Sequence, residues 1–165
     1  MARAETFAFD IARRRRRAAR ACIAAVALTL LLSTLAFIFS AAARPAKQDA
    51  GLVSILWAII LASGLGAIFF RRAQLSPRRI QHLADTGGRE RVLRALERTT
   101  VAVAVASGAI ALAGFIIVSI TGEPFDMLRA ALISLAVTLS NYPRLRAWQW
   151  VEEIAAKVNH VVAKG

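Results

Sequence analysis

Long apolar runs without any charged residue dominate the hydrophobic pattern of this chain. Three of them cover residues 21–43, 50–70 and 99–122. An α-helix rises about 1.5 Å per residue, so each run is long enough to cross a hydrocarbon core about 30 Å thick. The pattern therefore predicts three transmembrane helices.

A fourth apolar segment, residues 124–142, carries Asp126 and Arg129 close to its start. The two side chains are three residues apart on a helix, so they can pair, and the arginine can extend to the lipid headgroups. We expect this segment to form a fourth span. The first run resembles a signal peptide at its small residues 40–43, but it is longer than the usual apolar region of about 7–15 residues, so we expect a retained span.

Charge is distributed unevenly between the connections. Three segments, residues 1–20, 71–98 and 143–165, hold 19 of the 22 basic residues and seven of the ten acidic ones. The two other connections hold three of each sign. Lysine and arginine in short loops stay on the cytoplasmic side of a membrane, so this asymmetry predicts that both termini are cytoplasmic. Topology accounts for the whole net charge of +12, and we expect no nucleic-acid binding.

The segment between the second and third spans, residues 71–98, contains eight arginines and three acids. Its Ser76-Pro77 pair is typical of a helix start, because a proline in the first turn loses no hydrogen bond. Its Gly87-Gly88 pair predicts a break, after which a new helix runs without interruption into the third span. We interpret the segment as a helical, basic, cytoplasmic linker.

The C-terminal residues 143–165 follow an amphipathic helical pattern, with an apolar stripe formed by Trp148, Val151, Ala155, Val158 and Val162. Such a helix can lie on the membrane, dock on the linker or pair with a partner protein. We expect docking or membrane contact, because tryptophans near the end of a span favour the interface.

These elements predict an all-α, polytopic membrane protein in which two transmembrane hairpins are joined by the basic linker. The expected units are a basic N-terminal segment (1–20), a first hairpin (21–70), the linker (71–98), a second hairpin (99–142) and a C-terminal amphipathic helix (143–165). The alanine- and arginine-rich composition and short loops favour a prokaryotic inner membrane.

Residues with recognisable chemistry are scarce. No ionisable residue lies near the centre of a span and no proline interrupts one, which argues against a proton- or sodium-coupled carrier. His82 and His160 lie outside the spans without ligand-spaced neighbours, and Cys22 is the single cysteine. No nucleophile elbow, phosphate-binding loop or dinucleotide motif occurs. We expect no enzymatic activity, no cofactor and no metal site.

Small residues recur every fourth position in the second span, at Ser54, Ala58, Ala62 and Gly66. Similar stripes occur in the first and fourth spans. Small residues let membrane helices approach closely, so the stripes indicate either packing within one bundle or a surface for another membrane protein or a second copy. A pore lined by Ser54, Ser107, Ser134 and Thr138 in an oligomer is a further interpretation.

These features favour the function of a non-catalytic accessory or scaffolding subunit of a membrane complex. Its basic cytoplasmic face would bind anionic lipid or an acidic partner. The alternative is a small oligomeric channel or transporter component. The residues expected to bind lipid or a partner are Arg13, Arg14, Arg15, Arg16, Arg17, Arg71, Arg72, Arg78, Arg79, Arg89, Arg91 and Arg94.

Overall fold

The computed structural model describes residues 2–42 and 50–143, and these form four α-helices and no strand. The helices are α1 (Ala2–Ala42), α2 (Ala50–Gln74), α3 (Pro77–Thr121) and α4 (Pro124–Ser140). The all-α prediction is confirmed. The expected C-terminal amphipathic helix and the turn between the first two spans lie outside the described residues.

Glycine and proline set the limits and the bend of α3. Ser76 is its N-cap residue and Pro77 follows, although the Ser76 side chain makes no capping hydrogen bond. Gly88 interrupts the helical conformation with φ 64° and ψ −173°, which confirms the expected break. Gly122 ends the helix with φ 72°, and its amide donates to the carbonyl of Val118 at 2.7 Å. Glycine suits both sites because positive φ brings it no steric penalty.

Three helices are long and apolar enough to cross a membrane, over Ile11–Ser40, Ala50–Gln74 and Glu90–Thr121. They indicate a multi-pass membrane protein. The 17-residue α4 is not among them, since it is only about 25 Å long. The fourth span therefore remains a prediction. Large apolar side chains are exposed on all four helices, as expected of surfaces that face lipid.

The central helix of the bundle is α3, which packs against each of the other three. Arg14 of α1 pairs with Glu97 of α3, and far along the same two helices the rings of Phe39 and Phe115 meet with centroids 6.4 Å apart. The two helices therefore run parallel. A hydrogen bond joins Ser107 of α3 to Ser134 of α4, which comes after the turn at Gly122, so α4 is antiparallel to α3.

The hairpin arrangement of the first two spans remains a prediction, because the described residues of its two helices do not pack on each other. Within the described residues α1 and α2 do not contact each other, although they follow one another in sequence. The buried face of α1 contains Cys22, Ala25 and Thr29 and packs against α3 and α4. Meanwhile α2 contacts α3 from another side. The short connection between α1 and α2 thus does not determine which helices pack together.

The small-residue stripe of α2 does not pack within this bundle. Ser54, Ala58, Ala62 and Gly66 are all exposed, and no atom lies within 4 Å of a Cβ added at Gly66. The helix is buried instead along Ile60, Gly64 and Ala67. The corresponding stripe of α4, formed by Ala130, Ser134 and Thr138, is fully buried. No described helix therefore packs closely on the α2 stripe at Gly66, and the role of the stripe remains a prediction.

The basic residues before and after the apolar runs surround a small apolar core of their own. Ala18 of α1 packs there with Ile80 and Ala84, which precede the α3 kink, and with Val92 and Leu96, which follow it. This part of the bundle, from Ile11 to Arg20 and from Arg71 to Arg98, is called the basic end below. Its core fixes both halves of the kinked α3 against α1.

The contact of α3 with α4 provides a stability test. A Cβ added at Gly114 would overlap the Cβ of Ala130 and lie 3.4 Å from the Met127 sulfur. We therefore expect Gly114→Ala to lower the free energy of unfolding in detergent by about 1–3 kcal/mol. Gly66→Ala, at an open helical position, should be neutral or slightly stabilising. Thermal unfolding of both variants measures the difference, and equal stabilities would contradict the close α3–α4 contact.

Candidate functional site

Four buried hydroxyl groups from three helices meet inside the apolar part of the bundle. They belong to Thr29 of α1, Ser107 of α3, and Ser134 and Thr138 of α4, and each residue is at most 1% exposed. Their positions follow from the small-residue spacing, which turns one face of each helix inward. We call this group the hydroxyl cluster.

The members of the hydroxyl cluster satisfy one another. The Ser134 hydroxyl lies 2.9 Å from that of Thr29 and 2.8 Å from that of Ser107, and the Ser107 hydroxyl lies 2.5 Å from that of Thr138. Thr29 donates to the carbonyl of Ala25, and Thr138 to the carbonyl of Ser134. The four hydroxyl protons cannot satisfy all five of these contacts at once, but each hydroxyl donates or accepts at least one hydrogen bond. The cluster therefore joins α1, α3 and α4 and leaves none of its four hydroxyls without a hydrogen bond.

The suggested pore lining is only partly brought together. Ser107, Ser134 and Thr138 meet inside one bundle, whereas Ser54 lies exposed on α2 and donates to its own helix at Ala50, at 2.8 Å. Three of the four residues are thus occupied by packing between helices. The chemistry they support best is helix association within the chain.

The hydroxyl cluster predicts a specific loss of stability. Ser107→Ala removes the hydrogen bonds that the Ser107 hydroxyl makes to α4, and such interhelical bonds contribute about 0.6 kcal/mol on average and up to about 1.7 kcal/mol. We expect unfolding in detergent to become easier by that amount. Ser54→Ala, which removes a hydroxyl that bonds only to its own helix, should have no measurable effect. Equal effects of the two substitutions would show that the cluster does not hold the helices together.

The basic end contains a second candidate site, built from ion pairs and unpaired arginines. Arg14 of α1 lies 3.3 Å from Glu97 and 3.4 Å from Glu90 of α3, and Arg94 lies 2.6 Å from Glu90. The side chains of Arg14 and Glu97 are only 23% and 18% exposed. Arg14, predicted to bind lipid or a partner, therefore connects two helices of the chain itself. Glu90 and Glu97 are two turns apart on one helical face, which is the sequence signal for this contact.

Two more of the predicted arginines also make contacts within the chain. Arg71, near the end of α2, donates to the backbone carbonyl of Ser140 at the end of α4, where helix carbonyls lack partners in their own helix. Arg91 donates to the carbonyl of Thr86 across the kink at 3.4 Å. The first bond connects the end of α2 to the end of α4, and the second connects the two sides of the bend in α3.

The remaining predicted arginines lie at the same end of the bundle. Arg13, Arg16 and Arg17 are exposed along α1, and Arg15 is half-buried there. Arg72 at the end of α2 is also exposed, as are Arg78 and Arg79 at the start of α3. Arg89 follows the kink of α3. The structure therefore gathers the predicted set from three helices onto one end.

A cleft of about 480 Å³ opens between the end of α2 and the two halves of α3. Four arginines line it, together with apolar side chains that include Phe70 and Leu83; they are Arg79, Arg91, Arg94 and Arg98. None of the described residues that line it is acidic. We call it the arginine cleft. Arg98 was absent from the predicted set, although it follows Arg91 and Arg94 at helical spacing and so shares their face.

No group of three or more metal-ligating side chains occurs among residues 2–42 and 50–143. Comparisons with protein-family models, curated proteins and solved structures find no match for this chain. The candidate sites are therefore defined by the geometry alone.

Proposed function

We propose that this protein is a non-catalytic accessory or scaffolding subunit of a membrane complex. Its basic end would face the cytoplasm and bind anionic lipid or an acidic partner. One observation carries the proposal: exposed arginines of α1, α2 and α3 are collected at a single end of the bundle. At an anionic membrane surface each such residue contributes about 1 kcal/mol of attraction.

The proposed topology has four spans in a prokaryotic inner membrane, with both termini in the cytoplasm. Its support is the antiparallel packing of α4 along α3 and the charge asymmetry of the connections. At the opposite end of the bundle, Arg129 lies 3.2 Å from Asp126, and the arginine side chain is 70% exposed, so the arginine can remain hydrated at the interface. The short α4 would then cross with its first turn at the headgroups.

A scaffold also needs a surface for its partner within the membrane. The exposed stripe of Ser54, Ala58, Ala62 and Gly66 on α2 provides a narrow face on which another helix could pack closely. This face is proposed as the contact with another membrane protein or a second copy. The same stripe supports the alternative function, a small oligomeric channel or transporter component, because self-association through α2 would bring several copies of Ser54 together.

The lipid or partner interaction can be tested by neutralising arginines at the basic end. Replacement of Arg78, Arg79, Arg89 and Arg91 by glutamine should reduce the anionic phospholipid, or the acidic protein, that co-purifies in mild detergent. The difference from wild type should shrink at high salt, because ions screen the attraction. Quantitative lipid and protein mass spectrometry of the purified samples provides the measurement.

Arg129→Gln is a control for position, since it removes one positive charge from the opposite end of the bundle. It should leave the co-purifying molecules unchanged. If the quadruple variant retains the wild-type complement at low salt, the basic end is only a topology signal and the proposal is wrong. Solute flux through liposomes containing the purified protein would instead favour the channel alternative.

A further inference from the structure

We infer that the arginine cleft is a discrete site for one anionic phospholipid. The phosphate would contact the arginines, and an acyl chain would extend along α3 toward the middle of the bundle. This inference rests on the proposed function, because it takes the basic end to adjoin the headgroups of one leaflet.

The polarity of the cleft changes along the axis of α3. Arg91, Arg94, Arg98 and Ala102 are spaced by three or four residues and therefore lie on one helical face. Arginines occupy the outer part of this face, and from Thr99 onward the sequence is uncharged as far as Gly122. A ligand that fits the whole face must be anionic at one end and apolar at the other.

The charges in the cleft are largely uncompensated. Glu90 pairs with Arg94, whereas Arg79 and Arg98 have no acidic partner in the described part of the chain. Like charges that converge on one cleft repel each other, and an anion between them removes that cost. A phosphate group suits this role, because its several oxygens can each accept hydrogen bonds from the planar guanidinium groups.

The apolar part continues along the gap between α1 and α2. Because these helices do not touch, the α3 face between them stays open, with Val105 67% and Leu112 47% exposed. A second, apolar groove of about 480 Å³ lies here between α1 and α3, beside Leu28 and Gly108. Arg98 to Ala109 spans about 16 Å, close to the depth of one leaflet. This continuation favours a phospholipid over a free phosphate ion.

The test uses the full-length protein in nonionic detergent and measures lipid binding by native mass spectrometry. Phosphatidylglycerol is titrated, with phosphatidylcholine as the neutral comparison. Wild type should bind one phosphatidylglycerol molecule saturably. Arg79→Gln combined with Arg98→Gln should weaken binding about fivefold per arginine, or about thirtyfold together. Arg72→Gln combined with Arg78→Gln removes the same charge from the same end outside the cleft, and should weaken binding less than about threefold.

A second variant tests the apolar part without changing charge. Ala102→Trp would fill the cleft where the acyl chain enters, and should weaken phosphatidylglycerol binding at least tenfold. It should leave the binding of soluble glycerol phosphate unchanged. If glycerol phosphate displaces the lipid and Ala102→Trp has no effect, the ligand is a soluble phosphate and the lipid assignment is wrong. Because Ala102→Trp keeps every arginine, its effect on lipid binding still tests the site if the double arginine variant does not fold.

Failure of this inference can be separated from failure of the proposed function. If wild type prefers phosphatidylglycerol but the two double arginine variants lose affinity equally, binding is diffuse, so the discrete site is wrong while the basic face stands. If wild type shows no preference for phosphatidylglycerol over phosphatidylcholine, both the site and the lipid interaction of the basic end are wrong.

Discussion

Gly114 of α3 lies so close to Ala130 of α4 that no further side chain fits between them. Helices in lipid gain no hydrophobic free energy by associating, since lipid tails are as apolar as leucine. Close packing and interhelical hydrogen bonds must therefore hold the bundle together. The hydroxyl cluster provides such bonds at the level of Ser107, where α1, α3 and α4 meet. The position of α3 in the centre follows from these contacts.

A central α3 determines what the basic end can do. Because α1 and α2 pack on separate sides of α3, an open face remains between them. Gly88 bends α3 where it leaves this face, and Arg14 fastens the bent region to α1 through Glu90 and Glu97. Four arginines of α3 are then left around a cleft, beside Phe70 and Gln74 of α2, and the cleft leads into the open face. The same packing that stabilises the bundle thus creates the proposed lipid site.

Helix type and helix limits could be predicted from the sequence because each depends on local properties. Uncharged length identified three long apolar helices, and the conformational freedom of Gly88 and Gly122 marked a bend and an end. Helix partners depend on which face is buried, and hydropathy carries no such information when both lipid and protein are apolar. The stripe from Ser54 to Gly66 has the same spacing as that from Ala130 to Thr138, yet only the second is buried.

The basic residues show the same difference between properties that the sequence predicts and properties that depend on packing. Their collection at one end could be predicted from their positions relative to the apolar runs. Their individual roles could not, because these depend on contacts between distant segments. Arg14 became a connection between helices through two acids more than 70 residues away, and Arg98 entered the cleft because the kink brings Arg79 and Leu83 towards it.

The arrangement of α1 beside α3 rather than α2 is the central claim, and Cys22 allows a direct measurement. This native cysteine is buried with Ala25 and Ala104, while Ala67 of α2 is buried in a separate apolar cluster. Ala104→Cys and Ala67→Cys would each add one thiol, to be cross-linked to Cys22 in native membranes with a short thiol reagent. The structure predicts an intramolecular cross-link with Ala104→Cys alone. A cross-link with Ala67→Cys instead would place α1 beside α2 and contradict the account.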